Sequence, residues 1–236
     1  MLRLIAEAAT IHGGDLENAL ECVRVAKDAG ADTVKFQHVD PEHFPPGEMR
    51  DWYAKARFTI EQWRIIEAYG REKEIQFLCT PQTIVDFEDL LEVGIGEVKI
   101  SADNSANEAL LARVAFSHCR VFISVMTPHA VPGAVNILTN RGKSLRDIKT
   151  LHTTPEYPCP PENTNLKWLK EIDGFSDHTV GSQAGCMAIA LGATIIEKHF
   201  RLTEFDDGPD VGPWACYPDD LESYFNDIKT AERMMG

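Results

Sequence analysis

Apolar residues are concentrated in eight short segments along the chain, and each segment carries a polar or ionisable residue at or near its end. The segments are RLIAEAA, TVKFQ, IQFLCT, EVKIS, RVFISV, IKTLHTT, GFSDHT and ATIIEKHF. Their β-branched and aromatic residues favour strands, whereas the stretches between them carry apolar residues at the three- and four-residue spacing of helices. This alternation predicts an α/β protein with one domain over residues 1–236, a (β/α)8 TIM barrel.

Local signals support individual helices and loops. Asp15 is a candidate N-cap for a helix that ends at Gly30, Thr59 and Gln62 form a candidate capping box, and Pro218 opens the last helix. Two long loops are predicted after the second and eighth strands, over residues 40–58 and 203–218. Both leave the carboxyl ends of strands, so both border the mouth of the barrel, either as functional lids or as flexible connections.

Alternation along a strand sorts side chains into an inner and an outer set. The inner set predicted in this way consists of Lys35, Gln37, Lys99, Ser101, Glu197 and His199. An inward lysine is costly unless the cavity is wet or holds an anion. Lys35 and Lys99 therefore indicate anion binding, and the alternative is a structural ion pair with a barrel carboxylate such as Glu7 or Glu197. Lys198 falls in the outer set and is expected to extend toward solvent.

Two histidines, His178 and His199, close the seventh and eighth strands. Neighbouring strands lie about 4.8 Å apart, so two inward imidazoles could share one metal ion and leave positions open for water or substrate. The alternative is a pair of hydrogen-bonded histidines without metal. His152, near the end of the sixth strand, is a third candidate for an inward histidine.

Composition limits the class of protein. The chain has 236 residues, of which 44% are hydrophobic and 25% charged, as in an ordinary globular protein with a large core. Its apolar runs are shorter than a membrane span, and no charged leader precedes the first strand, so a cytoplasmic location is expected. The six cysteines have no zinc-like spacing and are expected to be reduced thiols. The net charge of −14 argues against nucleic acid as a partner.

The segments together resemble the sialic acid synthase family, which includes the synthases for pseudaminic and legionaminic acid. The resemblance runs over almost the whole chain, and its most specific parts are LHTTPEYPCP, GFSDHT, LGATIIEKHF and the following GPD. It implies a (β/α)8 barrel that condenses phosphoenolpyruvate with an N-acetylated amino sugar aldehyde. The implied products are a sialic-acid-like ulosonic acid and phosphate, and the implied cofactor is a divalent ion, Mn2+ or Mg2+.

The resemblance also assigns roles to residues. It implies that His178 and His199 bind the metal ion and that Lys35 and Lys99 bind phosphoenolpyruvate. It implies that Glu197 supports these groups or handles a proton. The other implied contacts involve the substrates. Hydroxyl groups near the phosphate or carboxylate are implied at Thr80, Ser124 and Ser176, and Ser101 would be a displaced phosphate-contacting serine. Contacts to either substrate are implied for Gln37, Tyr157 and Asp210, and His152 is added as a substrate-binding candidate because of its strand position.

Several positions depart from the family pattern. Ile11 replaces an asparagine after the first strand, Gly13 lacks a side chain that contacts the acceptor in some members, and Ala102 stands in a changed stretch after the fourth strand. The pattern also continues into an antifreeze-like domain, which we expect this chain to lack. The acceptor sugar is therefore expected to differ, or a separate antifreeze-like chain supplies the missing contacts. The resemblance also favours a homodimer as the assembly.

Two other functions remain open at this point. The first is a metal-dependent barrel lyase, aldolase or isomerase that does not use phosphoenolpyruvate. The second is a non-catalytic barrel that binds a sugar acid. The departures from the family pattern at Ile11, Gly13 and Ala102 favour this alternative. The paired inward lysines favour the phosphoenolpyruvate-dependent synthase over both.

Overall fold

The computed structural model describes residues 2–203 and 206–236. Eight parallel strands close into a barrel in chain order, with β8 hydrogen-bonded to β1. The strands are β1 (Arg3–Ala9), β2 (Thr33–His38), β3 (Gln76–Pro81), β4 (Glu97–Ile100), β5 (Arg120–Val125), β6 (Ile148–Thr153), β7 (Gly174–Asp177) and β8 (Ile195–His199). The (β/α)8 fold is confirmed, and the eight apolar segments coincide with the strands to within about two residues at each end.

Helices cover the outside of the barrel. They are α1 (Leu16–Asp28), α2 (Glu48–Ala56), α3 (Ile60–Glu72), α4 (Ile84–Val93), α5 (Glu108–Ala115), α6 (Val131–Thr139), α7 (Gln183–Ala190) and α8 (Pro218–Met235). Asp15 accepts a hydrogen bond from the Asn18 backbone amide, and Thr59 and Gln62 form both halves of a capping box. These helix starts confirm the predicted caps.

The connection between β6 and β7 differs from the predicted strand–helix alternation. Its main helical segment is a 3-10 helix over Leu166–Glu171, where the other crossovers carry an α-helix. The segment before it contains four prolines, at positions 155, 158, 160 and 161. Proline removes a backbone donor and disfavours helix in the residue before it, so little sequence remains for an α-helix here.

The segment after β2 is not the irregular loop that the sequence predicts. It contains a 3-10 helix over Pro41–His43 and the α-helix α2. Gly47 at the N-cap of α2 offers no side-chain hydrogen bond, which explains why no capping signature marked this helix. In the described part of the other predicted loop, 203–218, the only regular structure is an isolated β-bridge at Cys216 and the first residue of α8, Pro218. Residues 204 and 205 lie outside the described residues.

The barrel interior has an apolar layer beneath a polar one. The apolar layer consists of Ile5, Leu78, Phe122, Leu151 and Ile195, which form a buried cluster separate from the larger core between strands and helices. The next inward position along each strand is polar, as in Glu7, Lys35 and Glu197. The apolar layer therefore closes the barrel from below and leaves the polar layer at the C-terminal mouth.

The cysteines and the helices agree with two further predictions. All six cysteines are free thiols, and four of them are buried. Among the described helices, none has the length and apolar character that crossing a membrane requires.

Gly174 occupies an inward position of β7 where β8 comes unusually close. A Cβ at this position would lie 2.5 Å from the Ile195 carbonyl oxygen and 2.7 Å from the Ile195 Cβ. Gly174→Ala should therefore lower the free energy of unfolding by about 2 kcal/mol, measured by urea denaturation. Gly96→Ala is the matched control, because a Cβ there meets nothing within 4 Å. Equal stability of the two variants would contradict this account of the β7–β8 contact.

Candidate active site at the barrel mouth

A cavity of about 140 Å³ opens at the C-terminal end of the barrel. All the predicted site residues except His152 line it: Lys35, Gln37, Thr80, Lys99, Ser101, Ser124, Tyr157, Ser176, His178, Glu197, His199 and Asp210. Glu7, Gln82, Asp103 and Thr153 line it as well. The strands that carry these residues are far apart in sequence, so the closed barrel is what brings them together.

Two lysines and two carboxylates form a buried cluster on the cavity floor. Lys35 Nζ lies 2.9 Å from Glu7 Oε2 and 3.5 Å from Glu197 Oε1, and Lys99 Nζ lies 3.2 Å from Glu197 Oε2. Ser176 Oγ donates to Glu197 Oε1 at 2.8 Å. Glu197 therefore bridges both ammonium groups, and the structural ion pairs considered as an alternative for the two lysines are present.

The cluster shifts the pKa of each member. Burial raises the pKa of Glu7 to about 7, although Lys35 opposes this shift. Burial would also raise the pKa of Glu197, but the charges of Lys35 and Lys99 outweigh it and hold that pKa well below its usual value. Lys99 has a lowered pKa because it is buried beside the charge of Lys35. At neutral pH Glu197 is thus firmly ionised, whereas Glu7 is poised to gain or lose a proton.

The two histidines lie side by side at the same cavity, with ring centroids 5.3 Å apart. The Thr154 carbonyl oxygen lies 2.8 Å from His178 Nδ1. A carbonyl oxygen only accepts, so His178 Nδ1 carries the proton and Nε2 keeps its lone pair. His199 Nδ1 is buried without a hydrogen-bond partner among the described residues. Burial lowers the pKa of His178 to about 4 and that of His199 well below its usual value.

Neutral imidazoles with free lone pairs are metal ligands, and this pair fits part of a metal shell. Within residues 2–203 and 206–236, no group of three or more His, Cys, Asp and Glu side chains is arranged to hold a metal ion. The protein ligands present would thus be His178 and His199. The other positions would belong to water or substrate, as the sequence predicted for a site that does chemistry.

Further polar atoms in the cavity lack partners. Ser101 Oγ and Asp210 Oδ2 are buried and make no hydrogen bond to described residues. Burial raises the pKa of Asp210 to about 6. Tyr157 lies over His178 with ring centroids 4.1 Å apart, and it also contacts Trp214 at 5.5 Å. Buried polar groups usually have partners, so unpaired atoms that line a cavity favour a bound polar ligand.

His152 does not belong to this site, and the prediction that it points inward is wrong. Leu151, its neighbour on β6, belongs to the apolar layer inside the barrel, so His152 lies on the outer face. Its Nε2 lies 2.8 Å from the Thr164 carbonyl oxygen, and its ring contacts Trp168 and Phe175. It is a core histidine, fully buried between β6 and the 3-10 helix.

Lys198 was expected to extend toward solvent, and this is also wrong. It does lie on the outer face of β8, but its side chain is 0% exposed. Its Nζ donates to the Thr179 carbonyl oxygen at 2.5 Å and lies 3.6 Å from Asp177 Oδ2. A buried lysine is tolerated here because it has a carbonyl and a carboxylate as partners.

Sequence reasoning gave Glu7 no role in the site beyond an ion pair. Glu7 lies two residues after Ile5 on β1, so the two side chains share a face, and Ile5 belongs to the apolar layer inside the barrel. This spacing would have identified Glu7 as inward. Its raised pKa comes from complete burial of the carboxyl group, which no sequence pattern reports. Glu7 is the one cavity carboxyl group in the lysine cluster whose pKa lies near neutrality.

The fold and the cavity define a TIM barrel with a charged site at its C-terminal mouth. The chain belongs to the NeuB family, whose sequence profile matches residues 22–236. The resemblance to sialic acid synthases is thereby confirmed for the barrel.

Two relatives and one solved structure illustrate the similarity. The chain is 29% identical to the N,N'-diacetyllegionaminic acid synthase of Campylobacter jejuni, over 99% of this chain and 77% of that protein. It is 32% identical to an uncharacterised protein of Methanocaldococcus jannaschii, over 99% of this chain and 72% of that protein. The sialic acid synthetase of Leptospira borgpetersenii, solved with citrate, superposes with a TM-score of 0.90 at 28% identity and covers 100% of this chain and 85% of its own.

The lowered pKa of His178 gives a prediction for stability. The histidine titrates near 6.5 when unfolded and about 4 when folded, so between these values only the unfolded state binds the proton. Stability therefore falls as the pH falls, and this one group contributes a loss of about 1.5 kcal/mol between pH 6.5 and about pH 5. His178→Gln should remove that contribution, measured by urea unfolding at both pH values. The control is exposed His43→Gln, and an unchanged pH dependence in His178→Gln would contradict the burial argument.

Proposed function

We propose that the protein catalyses the phosphoenolpyruvate-dependent condensation of an amino sugar aldehyde to a sialic-acid-like ulosonic acid and phosphate. The observation that carries the proposal is the placement of Lys35 and Lys99 in one cavity with the imidazoles of His178 and His199. Family membership supports it, since named relatives are legionaminic, pseudaminic and N-acetylneuraminate-9-phosphate synthases.

The lysine cluster suits phosphoenolpyruvate, which carries a phosphate and a carboxylate. Glu197 is shared between the two ammonium groups, and Glu7 beside Lys35 is only partly ionised at neutral pH because its pKa is about 7, so the two lysines are only partly neutralised. Burial beside the charge of Lys35 lowers the pKa of Lys99, so additional negative charge would stabilise its ammonium form. A ligand with two anionic groups supplies that charge and orients the enol carbon toward the second substrate. Ser124, Ser176 and Thr80 add hydroxyl groups at the same cavity wall.

The imidazole pair is assigned to a divalent ion, Mn2+ or Mg2+. Such an ion, when bound, supplies Lewis-acid polarisation of an aldehyde oxygen. His178 and His199 are suited to it because both stay neutral at physiological pH and keep ring nitrogens free. Tyr157, which lies over His178, closes one side of the space left for the aldehyde.

Carbon–carbon bond formation joins the methylene carbon of phosphoenolpyruvate to the aldehyde carbon. Water then adds to C2, and the tetrahedral carbon loses phosphate. Glu7 is assigned to proton transfer, because its pKa of about 7 lets it accept and return a proton. Glu197 is assigned to holding the two lysines, because a carboxylate with so low a pKa is a weak base.

The acceptor sugar contacts the outer part of the cavity in this proposal. Asp210 and Gln37 line the cavity, and Asp210 Oδ2, which has no hydrogen-bond partner among the described residues, is assigned to accept a hydrogen bond from a sugar hydroxyl. We further propose that the protein works in the cytoplasm on small-molecule substrates. A separate antifreeze-like chain is proposed to supply the remaining acceptor contacts, and a homodimer is the other proposed assembly.

Phosphate release tests the proposed reaction directly. The protein is incubated with phosphoenolpyruvate, Mn2+ and a panel of N-acetylated amino sugar aldehydes, and each component is omitted in turn. Release should require all three, and His178→Ala or His199→Ala should abolish it. Metal binding without release from any aldehyde would instead favour a lyase, aldolase or isomerase. Neither metal binding nor release would favour a sugar-acid-binding barrel.

Lys99→Ala separates anion binding from a purely structural ion pair. If Lys99 binds phosphoenolpyruvate, its loss should raise the KM for that substrate about 30-fold, equivalent to about 2 kcal/mol. Lys149→Ala is the matched control, because it removes a lysine whose ion pair with Asp173 lies at the opposite end of the barrel. A folded Lys99→Ala protein with an unchanged KM would refute the assignment.

A further inference from the structure

Sequence neighbours of the two histidines form a second buried network on the outer face of the barrel strands. Asp177 precedes His178, Thr179 follows it, and Lys198 precedes His199. Asp177 and Lys198 are register partners on β7 and β8. Because side chains alternate, they point away from the cavity while their histidine neighbours point into it.

The contacts of this network converge on the turn that carries His178. Asp177 Oδ1 accepts from the Thr179 backbone amide at 2.8 Å and from Thr179 Oγ1 at 2.7 Å. Asp177 Oδ2 accepts from the Tyr224 hydroxyl of α8 at 2.7 Å. Lys198 Nζ donates to the Thr179 carbonyl oxygen. The backbone amide of Thr179 is therefore bound by Asp177 and its carbonyl oxygen by Lys198, both from the outer face of the barrel.

The packing around Tyr224 is equally specific. Tyr224 reaches Asp177 past α7, where Gly185 faces it. A Cβ at Gly185 would lie 2.4 Å from the Tyr224 hydroxyl oxygen. Only a residue without a side chain leaves room for the hydroxyl group at this point. The Lys198 ammonium lies 4.9 Å from the Tyr224 ring centroid, which adds a cation–π contact.

His178 is held on its cavity side by separate contacts. Its Nδ1 donates to the Thr154 carbonyl oxygen, and its own carbonyl oxygen accepts from the Cys159 amide at 2.8 Å. The orientation of the imidazole therefore depends on contacts at its front and on the clamped turn behind it. A buried network in which the polar groups are satisfied is rigid, and one lost contact leaves a costly unpaired group.

We propose that Asp177, Thr179, Lys198 and Tyr224 are positioning residues that hold the His178 imidazole where its Nδ1 donates to the Thr154 carbonyl oxygen, and that they thereby fix its tautomer and direction. They act through the backbone of the turn and do not touch substrate. The reason for such positioning rests on the proposed function, because an imidazole that binds a metal ion must point its ring nitrogen at that ion. Its physical content, a single imidazole orientation, can be measured without any activity.

The test uses Tyr224→Phe and Thr179→Val, each of which removes one hydroxyl group from the network. Long-range 1H–15N spectra of the metal-free full chain report the tautomer of His178, which is assigned by comparison with His178→Gln. Wild type should show one tautomer with the proton on Nδ1. Both variants should show shifted His178 signals with a second tautomer, and their affinity for Mn2+ should fall about tenfold. Thr179→Ser, which keeps the hydroxyl group, should restore the wild-type spectrum.

Tyr69→Phe on α3 is the matched control, since it removes a tyrosine hydroxyl group outside the network. The proposal is overturned if the His178 signals of Tyr224→Phe and Thr179→Val coincide with those of wild type, even if thermal stability falls. It is also overturned if Thr179→Ser behaves like Thr179→Val. If wild type binds no Mn2+, the metal part of the proposed function fails, whereas the His178 spectrum still decides the positioning role.

Discussion

The sharing of one carboxylate by two buried lysines is the constraint on which the site depends. Removing two ammonium groups from water is costly, and this cost is offset only where negative charge is close. Glu197 lies within 3.5 Å of both nitrogens, and Glu7 supplies a second carboxyl group to Lys35. At neutral pH the Glu7 carboxyl group is only partly ionised, so the positive charge of the two lysines is only partly compensated. That imbalance favours an anionic ligand. The pKa of Glu197 is held low by the two lysines, whereas burial raises the pKa of Glu7.

The apolar layer below the cluster makes this arrangement possible. It closes the barrel with Leu78, Phe122 and Leu151, so the polar layer is open to substrates from the mouth only. Next to the cluster, the two strands β7 and β8 use both of their faces. Their inner positions carry imidazoles, and their outer positions carry the buried Asp177–Lys198 pair. The same short motifs thus provide ligands on one face and support on the other.

Much of the fold could be predicted from the sequence because each strand is short, apolar and bounded by polar residues. Alternation also placed Lys35, Lys99 and Glu197 correctly in the interior. The position of His152 near a strand end suggests the mouth, whereas alternation with Leu151, which fills the apolar layer, puts His152 on the outer face. For Lys198 alternation gives the correct face but not the burial, because burial depends on the groups that surround it, which are Thr179, Asp177 and the Tyr224 ring of α8. The raised pKa of Glu7 likewise depends on three-dimensional burial.

The central claim is that the two lysines bind phosphoenolpyruvate beside the metal site formed by the two histidines. A crystal structure of the protein with phosphoenolpyruvate and Mn2+ is the most direct test. The account predicts phosphate or carboxylate density in contact with Lys35 and Lys99, and anomalous scattering from Mn2+ at the ring nitrogens of His178 and His199. Ligand density elsewhere, with the lysines still paired only to Glu7 and Glu197, would contradict it.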